Sequence, residues 1–195
     1  MKIVFCVLIY MVAVAAMFLH RVREEIISGV QKSLYLLTAS LGLAVFLLIN
    51  NEMSTFELIL LTAGAGILHG IAAVDLKKHT IDIIPTVVLY ALGALMLVRT
   101  DISYILSHML CAIVFLAVMA AGRKLSKGCI GMGDVILMPA IGLLLGIEAG
   151  LRAAVGGLIV MTVTGLILTA VKKIGFKDEL PLAPFMLIGY IFCSV

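Results

Sequence analysis

The run IVFCVLIYMVAVAAMFL, residues 3–19, carries no charged side chain at any of its positions. Neither does SLYLLTASLGLAVFLLI, residues 33–49, and LRAAVGGLIVMTVTGLILTAV, residues 151–171, has one charge, Arg152, beside its start. In hydrocarbon no water satisfies backbone N–H and C=O groups, so a spanning segment must pair them internally, and about 20 apolar helical residues cover a core of about 30 Å. These runs are therefore expected to be helices. The whole chain agrees with them: it is 64% hydrophobic and 13% charged, with a mean hydropathy of +1.27, whereas a soluble domain holds about 25% charged residues. The fold class is an all-α polytopic membrane protein.

Hydropathy broken at the charged residues divides the chain into eight expected spans: 3–19, 33–49, 55–74, 81–98, 102–121, 135–150, 151–171 and 181–195. Only a tight turn near Glu148-Ala149-Gly150 separates the sixth from the seventh, and without it the count is seven. No loop is long enough for a separate domain, so residues 1–195 form one membrane-embedded unit. The first run is not read as a cleaved leader, because no small-x-small site precedes the charged segment His20–Glu25. Loops 20–32, 75–80, 122–134 and 172–180 hold eleven of the 14 lysines and arginines. By the positive-inside bias those loops face the cytoplasm of an inner membrane and both termini face outward. This distribution also argues against nucleic acid as a partner, since the basic residues stand in short loops and not along one helix face. The lipid bilayer is the expected surrounding.

Most of the eleven acidic residues lie in loops or at helix ends, where a solvated charge needs no function. Asp75 directly follows the apolar run Leu58–Val74, and Asp134 directly precedes Val135–Leu145, so both fall at the cytoplasmic boundary. Two carboxylates at one depth are the minimum equipment of an aspartic protease: one ionised to deprotonate water, the other protonated to serve a carbonyl oxygen. Taken alone, the pair reads more readily as topology-marking interface charges than as a catalytic dyad. Gly131 and Gly133, just before Asp134, would let backbone or substrate approach closely and allow a positive φ before the helix begins.

The stretch Gly131-Met132-Gly133-Asp134 resembles the signature of the GxGD membrane aspartyl proteases. Its flanks, Lys124-Leu125-Ser126-Lys127-Gly128 before and Val135 to Gly142 after, resemble those of type IV prepilin peptidases. Asp75-Leu76-Lys77-Lys78 is similar to that family's first aspartate with its basic followers, and Leu180-Pro181-Leu182-Ala183-Pro184-Phe185 to its late Pro-Phe-x-Pro-Phe segment. The resemblance covers roughly residues 55 to 195. It implies an intramembrane aspartic endopeptidase with Asp75 and Asp134 catalytic and Gly131 and Gly133 shaping the site, requiring no metal or other cofactor. The implied substrate is a prepilin or pseudopilin, cut where its short basic leader meets its apolar helix. One departure concerns Ile84-Pro85, which arrives later than the family pattern; Ile81-Asp82 stands nearer, making Asp82 a rival carboxylate or a simple helix-start charge. Another is a first loop of about thirteen residues without cysteine, where bifunctional relatives carry a methylation-associated domain, so cutting alone is implied.

Other constellations carry less. The four histidines include no HExxH. His69, in a glycine-rich span, reads as an interhelical histidine, and Glu57 as an interfacial carboxylate. Cys6, Cys111, Cys129 and Cys193 form no CxxC pair and read as mostly buried structural thiols. The rival from another class is an ion- or proton-coupled transporter that relays ions through intramembrane carboxylates, for which inverted repeats would be the sign. None is visible.

The distribution of basic residues yields a test of orientation. Lys127→Cys should react with a membrane-impermeant thiol reagent only from the cytoplasm, and Asn51→Cys only from outside. Labelling of both from one side would break the topology.

Overall fold

The computed structural model describes residues 2–17, 29–49, 53–98, 101–171 and 180–193, and among them every regular element is an α-helix. The helices are α1 (Lys2–Met17), α2 (Gly29–Ile49), α3 (Thr55–Lys78), α4 (Ile83–Met96), α5 (Ile102–Leu125), α6 (Met132–Ala170) and α7 (Ala183–Cys193). The charged segment His20–Glu25, the basic loop 172–179 and the last two residues lie outside the described residues, and with them the expected placement of the termini.

α3 is the axis of the bundle. α1, α2, α4 and α7 all pack on it, and it is buried almost throughout from Leu58 to Asp75. Small residues make this crowding possible, since without large side chains helix backbones can approach closely. A Cβ at Gly66, for example, would lie 2.8 Å from that of Ala13 on α1. α3 starts at a serine N-cap: Ser54 Oγ accepts from the Glu57 amide at 3.3 Å and donates to Glu57 Oε2 at 2.6 Å. It stops at His79, whose left-handed backbone (φ 51°) turns the chain while its N–H bonds to the Asp75 carbonyl at 2.9 Å.

α6 covers 39 residues, yet it is a hairpin of two helical limbs. At Gly146 φ is +76° and ψ is −178°, a backbone region in which essentially only glycine is found. The limbs 132–145 and 147–170 fold back on each other: a Cβ at Gly150 would lie 3.8 Å from Gly142 Cα, a separation that eight residues of straight helix would stretch to about 12 Å. Two side chains of α5 serve the groups freed at the reversal. The Leu143 carbonyl accepts from His108 Nδ1 at 2.8 Å, and the Ile147 amide donates to Ser107 Oγ at 3.1 Å. The turn expected near Glu148-Ala149-Gly150 thus falls earlier, at Gly146, because the reversal needs a residue free to take this φ/ψ and these two capping partners.

Among the described residues three helical segments are long and apolar enough to cross a membrane, Thr55–Lys78, Ile102–Leu125 and Met132–Ala170, the last being the two-limbed α6; shorter apolar helices cover Tyr35–Leu47, Ile83–Met96 and Ala183–Phe192. Each of the eight expected apolar segments corresponds to a helix or to one limb of α6. The outer surface is that of a membrane protein. Leu106, Met109, Ile113 and Leu116 on α5, with Ile159, Val163, Leu166 and Ile167 on the second limb of α6, point away from the bundle. Water would penalise so broad an apolar surface at about 25 cal/mol per Å2, and lipid would not.

The reversal makes Gly146 a sensitive position. Beyond the backbone strain, a Cβ there would sit 3.0 Å from His108 Nε2 and 3.2 Å from Ser107 Oγ. Gly146→Ala should lose about 2–3 kcal/mol of stability. Gly128→Ala, also at positive φ but with nothing within 4 Å, should lose only about 1 kcal/mol. Unfolding followed in detergent checks the order of the two.

Candidate active site

Helix ends deliver both carboxylates. α3 runs one turn past its apolar stretch, which places Asp75 inside the bundle at 3% exposure, while Lys77, Lys78 and His79 beyond it are exposed. Its Oδ2 accepts a hydrogen bond of 3.0 Å from the backbone N–H of Ala183, the first residue of α7. Asp134 is the third residue of α6 and half-buried. A carboxylate in a helix's first turn is favoured by the partial positive charge of the free amides there.

Asp75 and Asp134 line one cavity of about 530 Å3. Its walls come from α3, α5, both limbs of α6, the loop between α5 and α6, and residues 180–182. Beyond the carboxylates, His79 and Cys129, the lining is almost wholly apolar, with Phe115 and Val118 on one side and Ala154, Leu158 and Met161 on another. Lys124 and Lys127 are exposed at this same end of the bundle, as are Lys77 and Lys78. Asp82 does not line the cavity. It is the N-cap residue of α4, the helix-start alternative weighed for it.

The glycines of the motif work through space. A Cβ at Gly131 would lie 3.1 Å from Asp134 Oδ2, and one at Gly133 would lie 2.7 Å from Ile81 Cβ. Gly131 therefore leaves room beside the carboxylate, and Gly133 lets α6 start against the segment that leads into α4. The positive φ expected here is absent from both: Gly131 has φ −60° as N-cap, since a helix is entered from extended backbone. Positive φ occurs earlier, at Lys127 (52°) and Gly128 (95°), where the loop turns. Arg123 ties that loop together. Its carbonyl accepts from the Gly128 amide at 2.9 Å and from Ser126 Oγ at 3.2 Å, and its guanidinium donates to the Ile130 carbonyl.

Reading the residues in order missed three members of the site: the Ala183 amide, His79 and Cys129. The two prolines flanking Leu182-Ala183 mark a helix start, but not which carboxylate it meets. Cys6 and Cys111 are buried as expected, whereas Cys129 is exposed on the cavity; it follows the turn at Lys127-Gly128, which carries it out of α5. His69 is interhelical, with Nε2 3.4 Å from Thr38 Oγ1 and its ring 4.9 Å from that of Tyr35 on α2. Glu57 and His108 line a second cavity of about 460 Å3 at the far end of the bundle. Among the described residues no group of three or more His, Cys, Asp or Glu side chains is placed to hold a metal ion. What the first cavity can support is proton exchange between two carboxylates and a water in a site sheltered by apolar walls.

Comparison with known families gives one match: the model of the type IV leader peptidase family fits residues 59–171, more than half of the chain and inclusive of both aspartates. No curated protein and no solved structure matches the chain.

The contact between Gly133 and Ile81 can be tested on the protein alone. Gly133→Ala should lower the melting temperature in detergent, at a cost of about 1–3 kcal/mol for an overpacked contact. Adding Ile81→Gly, which removes the opposing Cβ, should recover part of that loss relative to Ile81→Gly alone. Strictly additive effects would show that the two residues do not meet.

Proposed function

The chain belongs to the type IV leader peptidase family, and on that premise we propose that it is an intramembrane aspartic endopeptidase that removes the leader from prepilins or pseudopilins. The observation that carries this reading is the convergence of Asp75 and Asp134, 59 positions apart in sequence, on one largely apolar cavity.

In this mechanism the pair shares one proton, because two carboxylates brought together on a water and substrate in one poorly hydrated cavity do not both ionise readily. The ionised member removes a proton from a water held between them. That water's oxygen attacks the scissile carbonyl carbon while the protonated member gives its proton to the carbonyl oxygen. The tetrahedral intermediate collapses with proton transfer to the leaving amine, which frees the leader's carboxyl group and a new N-terminus. The protons belong to the coupled pair and not to either residue alone.

The cavity suits a substrate with two unlike parts. Its apolar walls on α5 and the second limb of α6 match an apolar helix in lipid, and its carboxylates stand at the end of the bundle that carries the lysines. Under the positive-inside bias this end faces the cytoplasm, where the leader lies and water is available. Gly131 keeps the space beside Asp134 open for the scissile backbone.

Co-expression with a prepilin tests the reading by leader removal. Asp75→Asn and Asp134→Asn should each lower the cleavage rate by about 10²- to 10⁴-fold, the usual contribution of a general acid or base, with membrane insertion unchanged. Asp82→Asn should cleave nearly as the unaltered protein does. Retained processing by the Asp75 or Asp134 variant would overturn the assignment.

A further inference from the structure

α7 touches both helices that carry the carboxylates, and it meets Asp75 with a single group. The first residues of a helix have amides with no partner inside it. In α7, Pro184 has no N–H, and the Phe185 and Met186 amides bond back to the Leu182 carbonyl at 3.1 Å each. Ala183 supplies the remaining amide of this opening turn, and it donates to Asp75 Oδ2 at 3.0 Å. Both partners are buried, Ala183 at 0% and Asp75 at 3% exposure.

The seat of α7 is tightly defined on both sides. Against the second limb of α6 the backbones nearly touch: a Cβ at Gly157 would lie 2.7 Å from the Phe185 carbonyl oxygen, and one at Gly189 would lie 2.9 Å from the Gly157 amide nitrogen. Against α3, Tyr190 donates its hydroxyl to the Leu61 carbonyl at 2.9 Å. A shift of α7 along its axis would break these contacts together.

We propose that Ala183 is a positioning residue: the N-terminus of α7, braced between α3 and α6, fixes the Asp75 carboxylate through Oδ2 and leaves Oδ1 to act in the cavity. The inference rests on Asp75 being catalytic, as proposed above. In this arrangement α7 works as a strut. It grips the second limb of α6, which continues the limb bearing Asp134, and holds the other carboxylate by one amide. The late proline-flanked segment then acts in catalysis through backbone geometry, with no side chain of its own in the chemistry.

The test removes one N–H. Ala183→Pro deletes the donor at the first position of the helix but also sets its ring Cδ against Asp75 Oδ2, which lies 3.0 Å from the nitrogen, while Ala183→Gly and Ala183→Ser retain the donor without added bulk at the amide. With a prepilin substrate in detergent, Ala183→Pro should lower kcat about 10- to 100-fold, the effect of losing a hydrogen bond to a charged group, with KM within about twofold. The Gly and Ser variants should keep kcat within about threefold, as expected for surviving donors. Incorporating lactic acid at position 183 replaces the amide by an ester and keeps the methyl group with no added bulk, so it separates loss of the hydrogen bond from the proline clash and should itself lower kcat about 10- to 100-fold. Unchanged kcat in the folded proline or ester variant, or a loss confined to KM, overturns the proposal. Asp75→Asn serves as the reference. If it still cleaves, the catalytic assignment itself fails; if it is inactive while the Ala183 variants cleave normally, only the positioning role fails.

Discussion

At Gly146 the chain leaves helical geometry within a bundle whose lipid-facing side offers no hydrogen bonds to replace those it gives up. The reversal is sustained because glycine alone accommodates its φ/ψ and because Ser107 and His108 on α5 meet the freed amide and carbonyl. Much else follows from this turn. It sends the second limb of α6 back along the first, so that Ala154, Leu158 and Met161 become a wall of the cavity that holds Asp134. It also brings Gly157 to the face on which α7 lies. A straight α6 would carry those residues away from the carboxylates, and the site would lose one side.

The site itself is a meeting of helix ends: the last turn of α3, the first of α6 and the first of α7. Ends are where a helix has unpaired polar groups and where a backbone can address a side chain. Among them, Asp75 is gripped by an amide and Asp134 lies in the first turn of α6, where the helix dipole favours a negative charge, so two carboxylates are accommodated in a protein that is otherwise apolar. The neighbouring lysines reside at the same end, facing outward, and do not line the cavity. Acidic side chains inside and basic charge outside are thereby separated over a few residues of sequence.

The family match ends at residue 171, before α7 begins. Even so, α7 is among the most closely packed parts of the bundle, with Ala183, Met186 and Tyr190 almost fully buried. Its fit depends on Gly157 and Gly189 meeting backbone to backbone, a contact in which the shared surface is shape and not side-chain chemistry.

Much of this was legible in the order of residues. Uncharged runs such as 3–19 and 33–49 required helices, because in lipid each segment must satisfy its own backbone. The glycine-flanked Asp134 and the boundary position of Asp75 singled out two carboxylates from eleven acidic residues. Three things were decided only in the folded chain. Asp75 and Asp82 both begin or end apolar segments, and only the packing of α3 against α7 puts the former in the cavity and leaves the latter at the start of α4. The turn in α6 was expected near Glu148-Ala149-Gly150, yet it lies at Gly146, since its position depends on partners from α5, nearly forty residues earlier. Ala183 has no polar side chain for a linear reading to notice. Local composition determines which segments are helices, because helix hydrogen bonds and burial in lipid are near-neighbour effects. Which groups meet at the site depends on contacts between distant segments, and those exist only once the helices have packed.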